Sequence, residues 1–162
     1  MLHSLYVRVP AIACRGLCWA SCGVIDMSPT ERRQLAAEGY QFPTLREVAS
    51  QEDQDTPFYC PALTADRRCA VYDNRPMICR LWGTSVDMPC PHGCRPDRYL
   101  GRAESMALLL GALTVGGAQE ANAARDIHTL IGSAESLEGQ AVYDSVVRRG
   151  MRSDRRRAMY GE

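Results

Sequence analysis

A chain of 162 residues, 46% hydrophobic and 23% charged, has the length and composition of one soluble domain with a core of its own. Its 19 basic and 19 acidic side chains cancel, so overall charge points to neither nucleic acid nor membrane. The basic residues, histidine apart, are all arginine, which excludes lysine Schiff bases and the P-loop with its phosphate-binding lysine.

The opening MLHSLYVRVPAIAC is interrupted by Arg8 and Pro10 and carries no secretory h-region. No apolar run approaches the ~18 residues of a membrane span. The expected location is therefore cytoplasmic, where thiols stay reduced and clustered cysteines signal metal rather than disulfides. Ser28-Pro29-Thr30-Glu31 is a capping box with proline at the first helical position, predicting a helix to about Glu38 that stops at Gly39. Thr44 to Glu47 repeats the cap pattern and starts a shorter helix, followed by a polar loop, Gln51 to Asp55. Phe58 to Cys60 and Cys69 to Tyr72 are short β-like runs around a polar turn, Thr64 to Arg68. NRPMICRLWG reads as one or two helical turns ending at Gly83, with Pro76 at the first helical position directing Cys79 inward. Asp97 is placed to cap a long helix reaching Val115 before Gly116-Gly117, and its stretch Met106 to Val115 reads as buried. Helical patterns near Ala118 to Ile131 and Leu137 to Arg148 follow, then a tail with arginines 148, 149, 152, 155, 156 and 157. That tail lacks interleaved aromatics and reads as a solvated helix end, not an RNA contact.

The predicted architecture is mainly α with little β: a small irregular cysteine-rich metal-binding domain packed on C-terminal helices. Residues 1–97 form the cysteine-rich part, 98–150 a helical part of the same domain, and 151–162 the arginine-rich tail.

The chemistry lies in eight cysteines, Cys14, Cys18, Cys22, Cys60, Cys69, Cys79, Cys90 and Cys94, all read as metal ligands. On a straight helix Cys14 and Cys22 would lie ~12 Å apart along the axis. Two thiolates on one zinc have sulfurs only ~3.8 Å apart. Either CRGLCWASC is a loop, or its thiols serve two sites, or they grip something larger than one ion. An iron–sulfur cluster is larger, and proline after a remote cysteine, as in Cys60-Pro61 and Cys90-Pro91, belongs to ferredoxin patterns. Cys90-Pro91-His92-Gly93-Cys94 suits a zinc knuckle as well as a cluster corner. His92 in that loop reads as solvated, and His3 and His128 have no ligand context. The CxxxCxxxC spacing is not the CxxxCxxC of radical SAM enzymes.

CRGLCWASC, Cys60-Pro61 and CAVYDNRPMICRLWG together resemble the YkgJ-like cysteine-cluster family, also described as a zinc- or iron-chelating CxxCxxCC domain. Cys69, Tyr72, Arg75, Pro76, Cys79 and Arg80 fall in register with its second signature. The adjacent cysteine pair of its first signature falls on Ser21 and Cys22, so one of the pair is serine here. The resemblance implies a metal-chelating module over roughly residues 10–97. Arg75 and Arg80 are then expected behind the thiolates, offsetting their charge and raising a cluster's potential. The competing reading pairs them with carboxylates such as Asp73 or Asp87. Tyr72 and Trp82 are expected as core or site walls.

Three functions stay open at this stage. The first is a metal-binding protein holding an iron–sulfur cluster, 4Fe-4S favoured, or zinc, with a redox or electron-transfer role and a protein redox partner. The second is a zinc-stapled module binding protein or RNA. The third is a small metal-dependent enzyme whose open coordination position is left by Ser21. Nucleic acid and membrane are not expected as partners of the first.

Overall fold

The computed structural model describes residues 1–23, 25–43, 47 and 59–118. In chain order the elements are α1 (Leu2–Tyr6), a 3-10 turn (Trp19–Ser21), α2 (Pro29–Ala37) and α3 (Met77–Leu81). A small hairpin follows, of β1 (Thr84–Ser85) and β2 (Met88–Pro89), and then α4 (Arg102–Val115). The chain is thus mostly helical, with one two-stranded antiparallel sheet pairing Thr84 with Pro89 and Ser85 with Met88. The helix predicted from Thr44 (Glu47 apart), the loop 51–55, the helices predicted after 118 and the arginine tail lie outside the described residues.

The capping box at α2 forms as predicted. The Ser28 hydroxyl accepts from the Glu31 N–H at 3.3 Å, and the Glu31 carboxylate accepts from the Ser28 N–H at 2.9 Å. Pro29 opens the helix, and the chain leaves it through Gly39 at φ +93, a conformation that favours glycine. α3 occupies the predicted position before Gly83 (φ +85), but Pro76 is its N-cap rather than its first helical residue.

α4 ends at Val115 as predicted yet begins at Arg102, not near Asp97. The reason is a competing use of the backbone. Leu100 donates its N–H to the Thr84 carbonyl at 2.8 Å and accepts from the Val86 N–H at 3.0 Å. A residue committed to the hairpin edge cannot also be helical. α1 and the hairpin were not predicted, because five- and two-residue elements are too short to show a periodicity.

Two apolar clusters hold these elements. In one, Leu2 of α1, Met77 and Leu81 of α3, Leu100, and Leu108 and Ala112 of α4 are buried together. In the other, Met27, Leu35, Phe42, Ala62 and Val71 are buried, and Cys60 and Cys69 pack against them. The first turn of α2 docks on the end of α4, where Thr30 donates its N–H (3.1 Å) and its hydroxyl (2.9 Å) to the Gly116 carbonyl. A Cβ at Gly116 would collide with the Ser28 side chain and meet the Ala112 carbonyl at 2.8 Å. Gly116→Ala is therefore expected to cost about 1–3 kcal/mol by overpacking, read from a denaturant melt. The backbone at 116 has negative φ (−78), which any residue can adopt, so the cost is steric.

Candidate metal centre

Burial alternates along residues 12–18: Ile12, Cys14, Gly16 and Cys18 are half-buried while Ala13, Arg15 and Leu17 are exposed. This period of two puts Cys14 and Cys18 on one side of the segment. Gly16 adopts φ +66, and a Cβ there would strike the Arg68 guanidinium, which donates to the Arg15 carbonyl at 2.8 Å. The 3-10 turn then breaks the alternation. Ser21 N–H donates to the Cys18 carbonyl and Cys22 N–H to the Trp19 carbonyl, each at 3.0 Å. Cys22 is carried to another neighbourhood, where its carbonyl accepts from the Cys60 N–H at 3.3 Å. The run is a loop, not a straight helix, and its three thiols part company.

Cys22, Cys60, Cys69 and Cys79 become neighbours. The Leu63 N–H donates to the Cys60 carbonyl at 3.0 Å, and the backbone N–H groups of Ala62 and Leu63 beside the Cys60 sulfur favour its thiolate. Leu63 and Cys69 face each other in an isolated antiparallel bridge, with Ala70 N–H donating to the Ala62 carbonyl at 2.9 Å. The predicted turn closes that loop, with Thr64 N–H donating to the Arg68 carbonyl at 2.9 Å. Among the described residues the pairing runs through Ala62 and Leu63, and it is one bridge rather than two strands; Phe58 lies outside the described residues. Cys79, in the middle of α3, lies within electrostatic reach of Cys60, Cys22 and Cys69. Burial, and then those three thiols, push its own thiol far above the ordinary range, while Arg75 pulls the other way. Burial likewise raises Cys60.

Cys14, Cys18, Cys90 and Cys94 form the other neighbourhood. The Cys18 thiol feels Cys14 and Cys90, and burial pushes it up. Cys14 accepts from the Gly16 N–H at 3.3 Å. Gly93, at φ +76, turns the loop and donates its N–H to the Cys90 carbonyl at 3.2 Å. Cys94 lies within hydrogen-bonding reach of the Cys90 thiol, and the Arg15 N–H beside it lowers its pKa. The Arg15 guanidinium donates to the His92 carbonyl at 2.6 Å, and Ile12 pairs with Pro96 just beyond the loop. His92 is exposed and contributes its carbonyl to this contact.

Arg75 stands between the two neighbourhoods. It is electrostatically coupled to Cys18 on one side and Cys79 on the other. Its guanidinium stacks on Tyr72 at 3.8 Å from the ring centroid, and the Tyr72 hydroxyl reaches the Cys14 sulfur. The Arg75 Nε is buried without a hydrogen-bond partner, as is the Trp82 indole N–H. Arg80 is placed differently. It donates to the Arg75 carbonyl at 2.8 Å and to the Asp73 carbonyl, and its guanidinium lies 4.3 Å over the Tyr6 ring. It braces the backbone that carries Arg75. Asp87 pairs with Arg102 at 2.9 Å rather than with either of these arginines. Tyr72 is 37% exposed, so it is a platform under Arg75 rather than a core residue. The roles of Arg15 and Arg68 escaped the sequence reading, although Arg15 sits inside the cysteine run itself.

Among the described residues, no three Cys, His, Asp or Glu side chains are drawn in to the spacing of a bound ion. The sulfurs are neighbours without being gathered. Their chemistry nevertheless suits zinc or iron: the donors are soft thiols, backbone N–H groups lie beside Cys14, Cys60 and Cys94, and the half-buried Arg75 stands near Cys18 and Cys79. None of the eight is in a disulfide, and each is half-buried.

Small helices and a hairpin folded around grouped thiols make this a cysteine-rich chelating domain. Residues 13–99, more than half of the chain, match the model of the CxxCxxCC family, described as a zinc- or iron-chelating domain, and the chain belongs to that family. No curated protein and no solved structure matches it. No helix among the described residues is long and apolar enough to cross a membrane.

Proposed function

We propose that the chain holds an iron–sulfur cluster through Cys22, Cys60, Cys69 and Cys79 and uses it to pass or sense electrons. The observation that supports this reading is the convergence of the thiols of Cys22, Cys60 and Cys69 on that of Cys79. Such a centre, when bound, supplies one-electron chemistry. The chain's own residues do the rest. The N–H groups of Ala62 and Leu63 stabilise negative charge on the Cys60 sulfur, and Arg75 offsets the charge of the thiolates together. Hydrogen bonds and positive charge of this kind raise a cluster's potential. The apolar cluster of Met27, Leu35, Phe42, Ala62 and Val71 shields one side from water. Cys60-Pro61 adds the dipeptide seen after a ferredoxin's remote ligand.

Protein purified without oxygen is expected to be brown, with iron and acid-labile sulfide in equal amounts and a broad absorption that bleaches on reduction. A colourless protein with stoichiometric zinc at these four thiols would overturn the redox reading and leave a structural zinc staple in its place.

A further inference from the structure

We infer that Cys14, Cys18, Cys90 and Cys94 form a second, separate site that takes a single zinc ion. The inference rests on the proposed centre at Cys22, Cys60, Cys69 and Cys79 only in treating that centre as a different one.

Three observations carry it. First, the two CxxxC segments are brought side by side: a Cβ at Gly83 would meet both the Ile12 side chain at 2.9 Å and the Cys90 Cβ at 3.6 Å. Cys18 interacts with Cys14 and Cys90, and Cys94 with Cys90, whereas Cys79 interacts with Cys60, Cys22 and Cys69. The 3-10 turn at Trp19–Ser21 is the divider, because it separates Cys22 from the alternating segment that presents Cys14 and Cys18.

Second, the loop has the local form of a metal knuckle. Cys90 and Cys94 lie within hydrogen-bonding reach of each other, and two sulfurs on one tetrahedral zinc need to stand only ~3.8 Å apart. A cluster has a body of iron and sulfide between its ligands and would hold two cysteine sulfurs farther apart. Gly93 at φ +76 makes the tight turn that brings the two thiols together.

Third, the two halves of the set are already fastened. Arg15, between Cys14 and Cys18 in sequence, holds the loop through its guanidinium on the His92 carbonyl and its N–H at Cys94. Ile12 bridges to Pro96 outside the loop. The backbone N–H of Gly16 at Cys14 and of Arg15 at Cys94 are the donors that a thiolate coordinating zinc uses to spread its charge. Four thiolates on one zinc would leave no open position, so the ion's role here would be structural, tying the first eighteen residues to the loop before α4. Binding replaces each S–H by an S–Zn bond and releases the protons to solvent, so no oxidant or reductant is involved.

The test counts metals on the full chain, purified without oxygen and supplied with zinc sulfate, as wild type and as Cys94→Ser, Cys90→Ser and Cys79→Ser variants. Zinc released to a colorimetric chelator and iron are each measured per chain, with circular dichroism checking that the variants fold. Cys94→Ser and Cys90→Ser are each expected to lose one zinc equivalent and keep the metal of the other centre. Cys79→Ser is expected to lose that other metal and keep the one zinc. If all three variants lose the same single metal together, one centre uses both sets and the inference is overturned. The same holds if Cys90 and Cys94 are found joined by a disulfide in the purified protein, or if neither variant alters zinc content. Absence of iron from every sample, with the one zinc still lost on Cys94→Ser, would overturn the redox reading and leave this site standing. Should Cys94→Ser fail to fold, cobalt(II) replaces the variant. Thiolate-to-cobalt absorption appearing in wild type with the first centre already filled supports the site, and its absence overturns it.

Discussion

Cys79→Ser is expected to empty the buried centre and to destabilise the protein by more than about 4 kcal/mol, since loss of a metal is among the few single changes that reach that range. Serine has nearly the shape of cysteine but no thiolate, so packing in α3 is preserved and the effect isolates ligation. Metal content and a thermal melt check it; an unchanged pair of values would remove Cys79 from the centre. The same thiol gives a pH signature with two opposite signs. In chelator-treated protein, burial and the thiols of Cys60, Cys22 and Cys69 hold Cys79 protonated well beyond the usual thiol range. A group harder to ionise in the folded than in the unfolded state contributes its full stability below the unfolded pKa, ~8.5 for a thiol, and loses it as pH rises above that value. Metal-free protein is therefore expected to weaken in alkali. In loaded protein the bound form is the thiolate, so acid competes with the metal and stability falls as pH drops. A melt series from mildly acid to alkaline pH, with and without chelator, separates the two. Parallel curves would mean that the metal is not held by this thiol.

What the sequence showed and what it hid follow from the reach of local signals. Ser28-Pro29-Thr30-Glu31 is a self-contained device, and α2 forms where it says. Glycines 39 and 83 sit at turns with positive φ and end their elements as predicted. The stretch before Gly116 is helical as its composition suggested. The start of α4 was misplaced because Asp97 is a good cap only if nothing else claims residues 98–101, and the pairing of Leu100 with Thr84 is a long-range event. The eight cysteines were legible as a group, and their division was not. Cys22 belongs in sequence to the run of Cys14 and Cys18, yet one 3-10 turn assigns it to the neighbourhood of Cys60, Cys69 and Cys79. Arg75 and Arg80 looked equivalent in the signature. Only the fold separates them, placing one among the thiols and the other against Tyr6 and the backbone.

Glu31→Ala is expected to cost about 3–5 kcal/mol, because four donors lose their acceptor at once and one buried donor left unsatisfied costs about 1–3 kcal/mol. Glu31 began as the last letter of a capping box, but its carboxylate, in a residue only 3% exposed, does more than cap α2. One oxygen accepts from the Ser28 N–H at 2.9 Å and the Ser28 hydroxyl at 2.8 Å. The other accepts from the Tyr6 hydroxyl and the Met77 N–H, each at 2.8 Å. An ionised carboxylate offers about four acceptor positions and no donor, and here four donors converge on it. α1, α2 and the first turn of α3 are thereby tied to one side chain. Glu31→Gln tests the charge separately from the shape. Its amide nitrogen would face two donors on one side, leaving them unsatisfied, so a loss of about 2–4 kcal/mol is expected. Tyr6→Phe removes one of the four bonds and is expected to cost about 1.5–3 kcal/mol, as for other bonds to a charged group. Burial, and then its bond to Glu31, already hold the Tyr6 hydroxyl firmly protonated. Because Met77 opens the helix that carries Cys79, the Glu31 variants should also release metal to a chelator faster than wild type. Normal stability in both variants would mean that solvent takes over the carboxylate's role; lowered stability with unchanged metal release would show that α3 is held for Cys79 by the metal rather than by Glu31.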